Sequence, residues 1–370
     1  MKERVFAFYL PQYHPIPEND EWWGKGFTEW TNVVKSKPLF RGHYQPKIPT
    51  DLGFYGLRMA EVREEQARLA KDAGIEGFVY WHYWFGNGKR LLERPFNEVL
   101  ASGKPDFPFA LAWANCSWIN ATWQKGLRKK EGDVIIAEQL YPGVEDYERH
   151  FYELLPAFKD HRYICVDGCP LFMIYVPEEP AIPEFISTWR QLAKKEGLKG
   201  FHFVAVGRMG YLKKKINPEQ KIESLLSIGF DAVHTWTYTR AEMESNRIKK
   251  YLHAVIGKIF GVYPVSRIKQ RVINRYLYLE EDKLENVYPM LFPNWDCSPR
   301  RGRECTIYTD STPEVFAEQI GVAKKLITNK QPEHRILFLK SWNEWGEGNY
   351  VEPDIKYGRE YLDVLKNALK

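Results

Sequence analysis

The residues best equipped for chemistry lie near the end of the chain, in Lys340-Ser341-Trp342-Asn343-Glu344-Trp345-Gly346-Glu347-Gly348. Two carboxylates three residues apart, flanked by indoles and by glycines that let the backbone turn sharply, match what breaking a glycosidic bond requires. One carboxyl must hold a proton for the leaving oxygen, and the other must stay ionised as base or nucleophile. Trp342 and Trp345 offer the apolar surroundings that raise a carboxyl's pKa, and a second carboxylate nearby acts in the same direction. The competing reading is a turn whose acids are solvated and whose tryptophans fill the core. The apolar run Ile336-Leu337-Phe338-Leu339 directly precedes the motif, so the pair sits where a buried strand empties into a loop.

The same arrangement recurs along the chain. Val5–Leu10 reads as a buried parallel strand opening into Pro11-Gln12-Tyr13-His14-Pro15, which makes Tyr9 and Tyr13 candidates to meet a ligand. The glycine-spaced segment 21–32 shows no helical period and carries Glu29 and Trp30; a loop this long inside a compact domain is usually functional. A second strand at Gly77–Trp81 delivers Trp81, His82 and Trp84, and a third at Phe107–Asn115 delivers Trp113, Asn115 and Trp118. A hairpin at Tyr163–Pro170 feeds a fourth strand at Leu171–Tyr175, and a fifth follows at Phe201–Gly207. The sixth, Asp231–Trp236, places His234 and Trp236 near its end, and the seventh, Val287–Phe292, leads to Trp295, Asp296 and Arg300. Around the glutamates themselves stand Trp342, Asn343 and Trp345. About half of these candidates are expected to face the core, because alternate residues of a barrel strand point away from the cleft. His82 and His234 read as hydrogen-bonding or sugar-contacting groups; neither has the helical partner or acid triad of a metal ligand, and no metal or cofactor is expected.

Helical periodicity separates the strands, at about 58–73, 91–101, 144–159, 183–196, 218–227, 313–328 and 357–369. Strand and helix thus alternate about eight times with no break in composition, which predicts one (β/α)8 TIM barrel over residues 1–370, with long βα loops and its active site at the strand C-termini. The rival, an open doubly wound sheet, lacks its glycine-rich dinucleotide loop after the first strand.

The chain has 370 residues, enough for one barrel-sized core. Its 44% hydrophobic and 27% charged content is ordinary, whereas 15% aromatic residues, with 13 Trp and 22 Tyr, is high. Aromatic faces stack on the C–H faces of pyranoses, so this bias suits a sugar-binding cleft as well as an aromatic core. A formal charge of +5 without a zinc-ligand spacing, phosphate loop or nucleic-acid motif argues against nucleic acid as a partner. The sparse, odd-numbered cysteines (five) argue for a reducing compartment, and no signal peptide or membrane-spanning run is evident, so a cytoplasmic protein is expected. Residues 246–276, within an insertion at 246–285, hold eight Lys and Arg and no acid, interleaved with apolar residues. Such a segment suits peripheral contact with an anionic inner membrane or with a phosphate-bearing substrate, as well as a solvated face over the barrel.

Taken together, Phe8–Pro15, Gly26–Val33, Gly77–Phe85 and Trp342–Gly348 resemble the WbsX-like family of bacterial polysaccharide-biosynthesis proteins, itself similar to glycoside hydrolase family 99, the endo-α-mannosidases and endo-α-mannanases. The resemblance implies a (β/α)8 barrel acting on α-linked sugars with retention. It further implies that Glu344 is the base acting on the substrate's own 2-hydroxyl, which attacks the anomeric carbon, and that Glu347 is the acid/base at the leaving oxygen. Three functions follow: a retaining α-glycoside hydrolase acting on a bacterial polysaccharide or its precursor, free or lipid-linked; a glycosyltransferase of O-antigen, capsule or lipopolysaccharide assembly, against which the lack of an Asp-x-Asp signature counts; and a non-catalytic glycan-binding barrel.

Overall fold

Eight parallel strands form the barrel that the apolar runs predict: β1 Arg4–Tyr9, β2 Gly77–Trp84, β3 Phe109–Trp113, β4 Cys169–Ile174, β5 His202–Arg208, β6 Ala232–Trp236, β7 in two pieces, Val287–Tyr288 and Met290–Leu291, and β8 Ile336–Leu339. The computed structural model describes residues 3–119, 134–210, 216–245, 255 and 265–369. Each strand pairs with the next in sequence, and β1 pairs with β8 in register Arg4↔Ile336 to Ala7↔Leu339. The circle closes through β7: its first piece pairs with β6 and its second with β8. Pro289, which has no N–H for a ladder, marks the break between the pieces, while its carbonyl still accepts the Phe338 N–H at 3.1 Å.

Alternation along the strands sorts side chains into two layers. Phe8 meets Trp81, His234, Trp236 and Phe338 across the barrel interior, with ring centroids 5.0–6.0 Å apart. The intervening positions pack on the helices; Tyr9 and Tyr80, for example, lie 4.5 Å apart beneath the helix Ala60–Asp72, where the Tyr9 hydroxyl donates to Gln66. Buried apolar faces at Leu154, Phe158, Phe185 and Trp189 seal the helices Val144–Phe158 and Ile182–Lys195 onto β4 and β5.

Three expectations are corrected. Segment 21–32 is bordered by two helices, Pro17–Trp23 and Glu29–Lys35. At seven residues each they are too short to show a period in sequence; Pro17 fixes φ at the start of the first, and the Thr31 hydroxyl accepts the Thr28 N–H at the start of the second. Strand β2 runs on to Trp84, every residue buried, because both faces of its aromatic end are covered. The third difference is the interruption of β7 at Pro289. Most of the basic segment 246–276 lies outside the described residues; its end forms a strand, Ser266–Lys269, parallel to Thr306–Thr309, followed by the helix Gln270–Asn274.

Candidate active site

Where β8 ends, the chain is pinned before it turns. The Asn343 amide takes the place of a strand neighbour for Leu10, accepting its N–H at 2.8 Å and donating to its carbonyl at 3.0 Å, while the Trp342 N–H reaches Phe8 O at 2.8 Å. Asn343–Glu344 pairs antiparallel with Asn349–Tyr350, and Gly348, in the left-handed region at φ 54°, closes the hairpin. Trp345 stacks on Tyr350 at 3.7 Å and donates its indole N–H to Glu352 at 2.6 Å. Tyr13 hydrogen bonds the Asn343 carbonyl, and Trp30 packs on Trp345 at 5.3 Å. The two glutamates therefore project from a braced backbone.

Both line a cavity of ≈ 250 Å³ at the barrel mouth, with Trp81, Tyr83, Trp118, Tyr175, Trp236 and Tyr238 as its aromatic walls. Arg300 reaches three carboxylates at once: Glu29 at 2.9 Å, Glu344 at 3.3 Å and Glu347 at 2.7 Å. Lys340 adds a second cation on Glu347 at 3.1 Å and lies 5.2 Å and 5.3 Å from the ring centres of Trp236 and Trp295. Glu344 also accepts the Trp81 indole N–H at 3.2 Å. Gly346 is required by this packing, since a Cβ there would come within 1.5 Å of the Glu29 carboxylate.

The two acids differ in proton affinity. Burial raises the pKa of Glu344, and the Glu347 charge raises it further. Burial acts in the same sense on Glu347, but the Lys340 and Arg300 charges overcome it and hold the carboxyl below its usual value. A pair with a high and a low member suits acid and base work. This ranking is the reverse of the roles that the family resemblance implies, in which Glu347 bears the proton.

Of the residues singled out in the sequence, Trp81, Trp118, Trp236 and Arg300 meet Glu344 and Glu347 at the cavity. Tyr13, Glu29, Trp30, Asn343 and Trp345 stand behind the motif and brace it. Tyr9, His82, Trp84, Trp113 and Trp342 face the helix layer: His82 and His150 are 2.7 Å apart, Trp84 donates to Asp146, the Trp113 indole donates to Trp84 O, and Trp342 packs 5.2 Å from Phe78. Asn115 staples loops through Tyr141 and Val176. His234 is fully buried in the barrel below Trp236, its Nδ1 2.8 Å from Tyr288 O. Asp296 is held by His43 at 2.9 Å and Gln45 at 2.6 Å; despite burial, His43 and the Lys47 charge bring its pKa to about 2. Together with Trp295 it lies on the far side of the glutamate wall.

Lys340, Tyr83, Tyr175 and Tyr238 were not singled out. Strand parity would have found two of them, because Tyr83 follows the inward Trp81 by two and Lys340 follows the inward Phe338 by two. Among the described residues, no group of three or more His, Cys, Asp or Glu side chains is placed to hold a metal ion, and no helix is long and apolar enough to cross a membrane.

Comparison with known proteins gives a consistent picture. A family model described as "Glycosyltransferase WbsX" matches residues 5–365. Two proteins of Xanthomonas campestris pv. campestris, each named "Uncharacterized protein WxcX", are 34% identical over 372 residues; the match covers 99% of this chain and 49% of theirs, so the chain spans about half the length of these relatives. Among solved structures, a "Glycoside hydrolase-like protein" superposes with a TM-score of 0.59 at 15% identity, over 100% of this chain and 94% of that one. A glycoside hydrolase family 99 endo-α-mannosidase from Bacteroides thetaiotaomicron gives 0.51 at 13% identity, over 99% and 95%. At these identities the structural likeness establishes the fold alone, a (β/α)8 barrel.

Proposed function

As a member of the WbsX glycosyltransferase family, matched over residues 5–365, this chain is, we propose, a polysaccharide-processing enzyme that breaks an α-glycosidic bond with retention, using Glu344 and Glu347 as its reacting carboxylates. The observation that carries this reading is the pair itself: two carboxyls bridged by Arg300 and of unequal proton affinity, in an aromatic-walled cavity at the C-terminal face of a barrel. Trp81, Trp118, Tyr175 and Trp236 offer faces for pyranose rings, and the Trp81 indole orients Glu344. The pair acts as a unit. One proton shared between the two carboxyls protonates the leaving oxygen, and the ionised partner draws a proton from the substrate's 2-hydroxyl, which attacks the anomeric carbon. Burial favours that proton on Glu344, whereas the roles that the family resemblance implies place it on Glu347 at the leaving oxygen.

A second reading, transfer of the sugar to an acceptor hydroxyl instead of water, is favoured by the family's description as glycosyltransferases. It uses the same carboxylates and differs only in what intercepts the intermediate. The proposed substrate is an oligosaccharide or polysaccharide, free or lipid-linked, and the basic residues of 246–276 support peripheral contact with an anionic membrane. Nuclear magnetic resonance of the first-formed product, from an activated α-glycoside with and without an acceptor sugar, tests the reading. An α-configured product is expected, as free sugar or as acceptor adduct. A β product, or transfer from a nucleotide sugar that survives loss of both glutamates, contradicts it.

A further inference from the structure

A second cavity lies behind the wall that carries the glutamates. It encloses ≈ 620 Å³ and shares no lining residue with the first, a size within the roughly 300–1,000 Å³ of small-molecule sites. The wall between them is the loop after β7 and the hairpin after Glu347. There the Asp296 N–H donates to Glu347 O at 2.7 Å, and Lys47 Nζ donates to Gly348 O at 3.2 Å.

The lining alternates aromatic faces with polar handles. The Lys356 ammonium sits 5.3 Å from the ring centre of Tyr44 and 4.6 Å from that of Tyr357. The Tyr44 hydroxyl is buried beside Asp354 and the backbone of Ile48 and Lys356. The carboxylates already have partners. Asp296 is held by His43 and Gln45, Asp310 pairs with Lys269 at 3.4 Å, and Asp354 accepts from the Tyr350 hydroxyl at 2.6 Å and from the Lys356 and Tyr357 N–H groups at 3.0 Å and 2.7 Å. Arg41, Lys47 and Lys356 balance Asp296, Asp310 and Asp354 in formal charge. An anion therefore finds no net attraction here, and an apolar ligand would bury these polar groups unpaired. Aromatic faces beside balanced donors and acceptors are the chemistry of neutral pyranose recognition.

We propose that this cavity is a second saccharide site, which holds a neutral stretch of the same glycan that the glutamates process and so engages a long chain at two points. The proposal rests on the reading that the protein handles glycans. Engagement at two points multiplies affinity for polymers without changing the chemistry on a short substrate.

The test uses a printed array of neutral and acidic bacterial polysaccharides, together with turnover of a short activated α-glycoside. Two variants leave the catalytic pocket alone: Thr309→Trp, which fills the cavity, and the rim pair Arg41→Ala with Lys356→Ala, both of whose side chains are exposed. Wild type and Glu344→Gln should bind neutral polymers. Each cavity variant should lose at least tenfold in that binding while turning over the short glycoside within twofold of wild type. Undiminished array binding by the rim variant, or binding restricted to acidic polymers, overturns the proposal. Wild-type turnover with no array binding by Glu344→Gln refutes the second site and leaves the proposed function standing. A wild type that neither binds nor turns over any glycan removes the function and the second site with it.

Discussion

Arg300 stands where three carboxylates converge, and together with Lys340 it sets the proton order of the candidate pair. Without those cations, burial would raise both glutamates and nothing would hold Glu347 below its usual value. Lys340 is the cleaner residue to test, since Arg300 also holds Glu29. Lys340 lowers the pKa of both members of the pair, so its removal as Lys340→Met should shift both limbs of a bell-shaped pH profile of kcat/KM upward. An unmoved profile, or a shift toward acid, would show that the ammonium does not control the pair. Gly346 belongs to the same arrangement: the Glu29 carboxylate occupies the space that any larger residue at 346 would need.

At the scale of elements, the chemistry at the ends of strands could be read from sequence because buried strands are continuous apolar runs and their ends are marked by Trp, Tyr and acids. Every barrel strand was located within a few residues, and the Glu-x-x-Glu motif was placed after the last. What sequence could not decide was which way a side chain faces at a strand end where both faces are buried. Trp81 turns into the cavity, yet His82 and Trp84 turn to the helices, and all three carry the same aromatic signature. Trp113 likewise looked like a platform for a sugar and is instead a wedge between the barrel and the helix layer, 4.9 Å from Phe185. The bracing of the motif was hidden for another reason: Asn343 with Leu10, and Tyr55 with Glu352, join positions nearly 300 or more residues apart, which no local pattern records.

For the whole molecule, burial of ionisable groups predicts how stability follows pH. His82, His150, His202 and His234 are buried, and burial is the leading reason that each has its pKa lowered, to about 4 for the last two. The unfolded chain takes up protons on these histidines below about 6.5 while the folded chain resists, so their contribution to stability is full above that pH and is lost as pH falls. Glu352 and Asp282 act in the opposite sense: burial raises them to about 7 and about 6, so the stability they contribute at low pH declines as pH rises toward those values. Glu344 joins the raised carboxylates and His14 the lowered histidines, and the histidines stay in the majority, leaving a net loss of stability as pH falls between roughly pH 6 and 5. Urea unfolding at the two pH values should give this drop; equal stability, or greater stability at pH 5, would contradict the burial of these rings.

The central claim is that Glu344 and Glu347 together do the glycosidic chemistry. Its most direct test is a comparison of Glu344→Gln and Glu347→Gln with wild type on one α-glycoside that carries an unactivated leaving group, with kcat and substrate affinity measured separately. Each variant should still bind the sugar within a few-fold of wild type and lose turnover by at least ~10³, as expected when one member of a cooperating acid/base pair is removed. Turnover within tenfold of wild type in either variant would contradict the account.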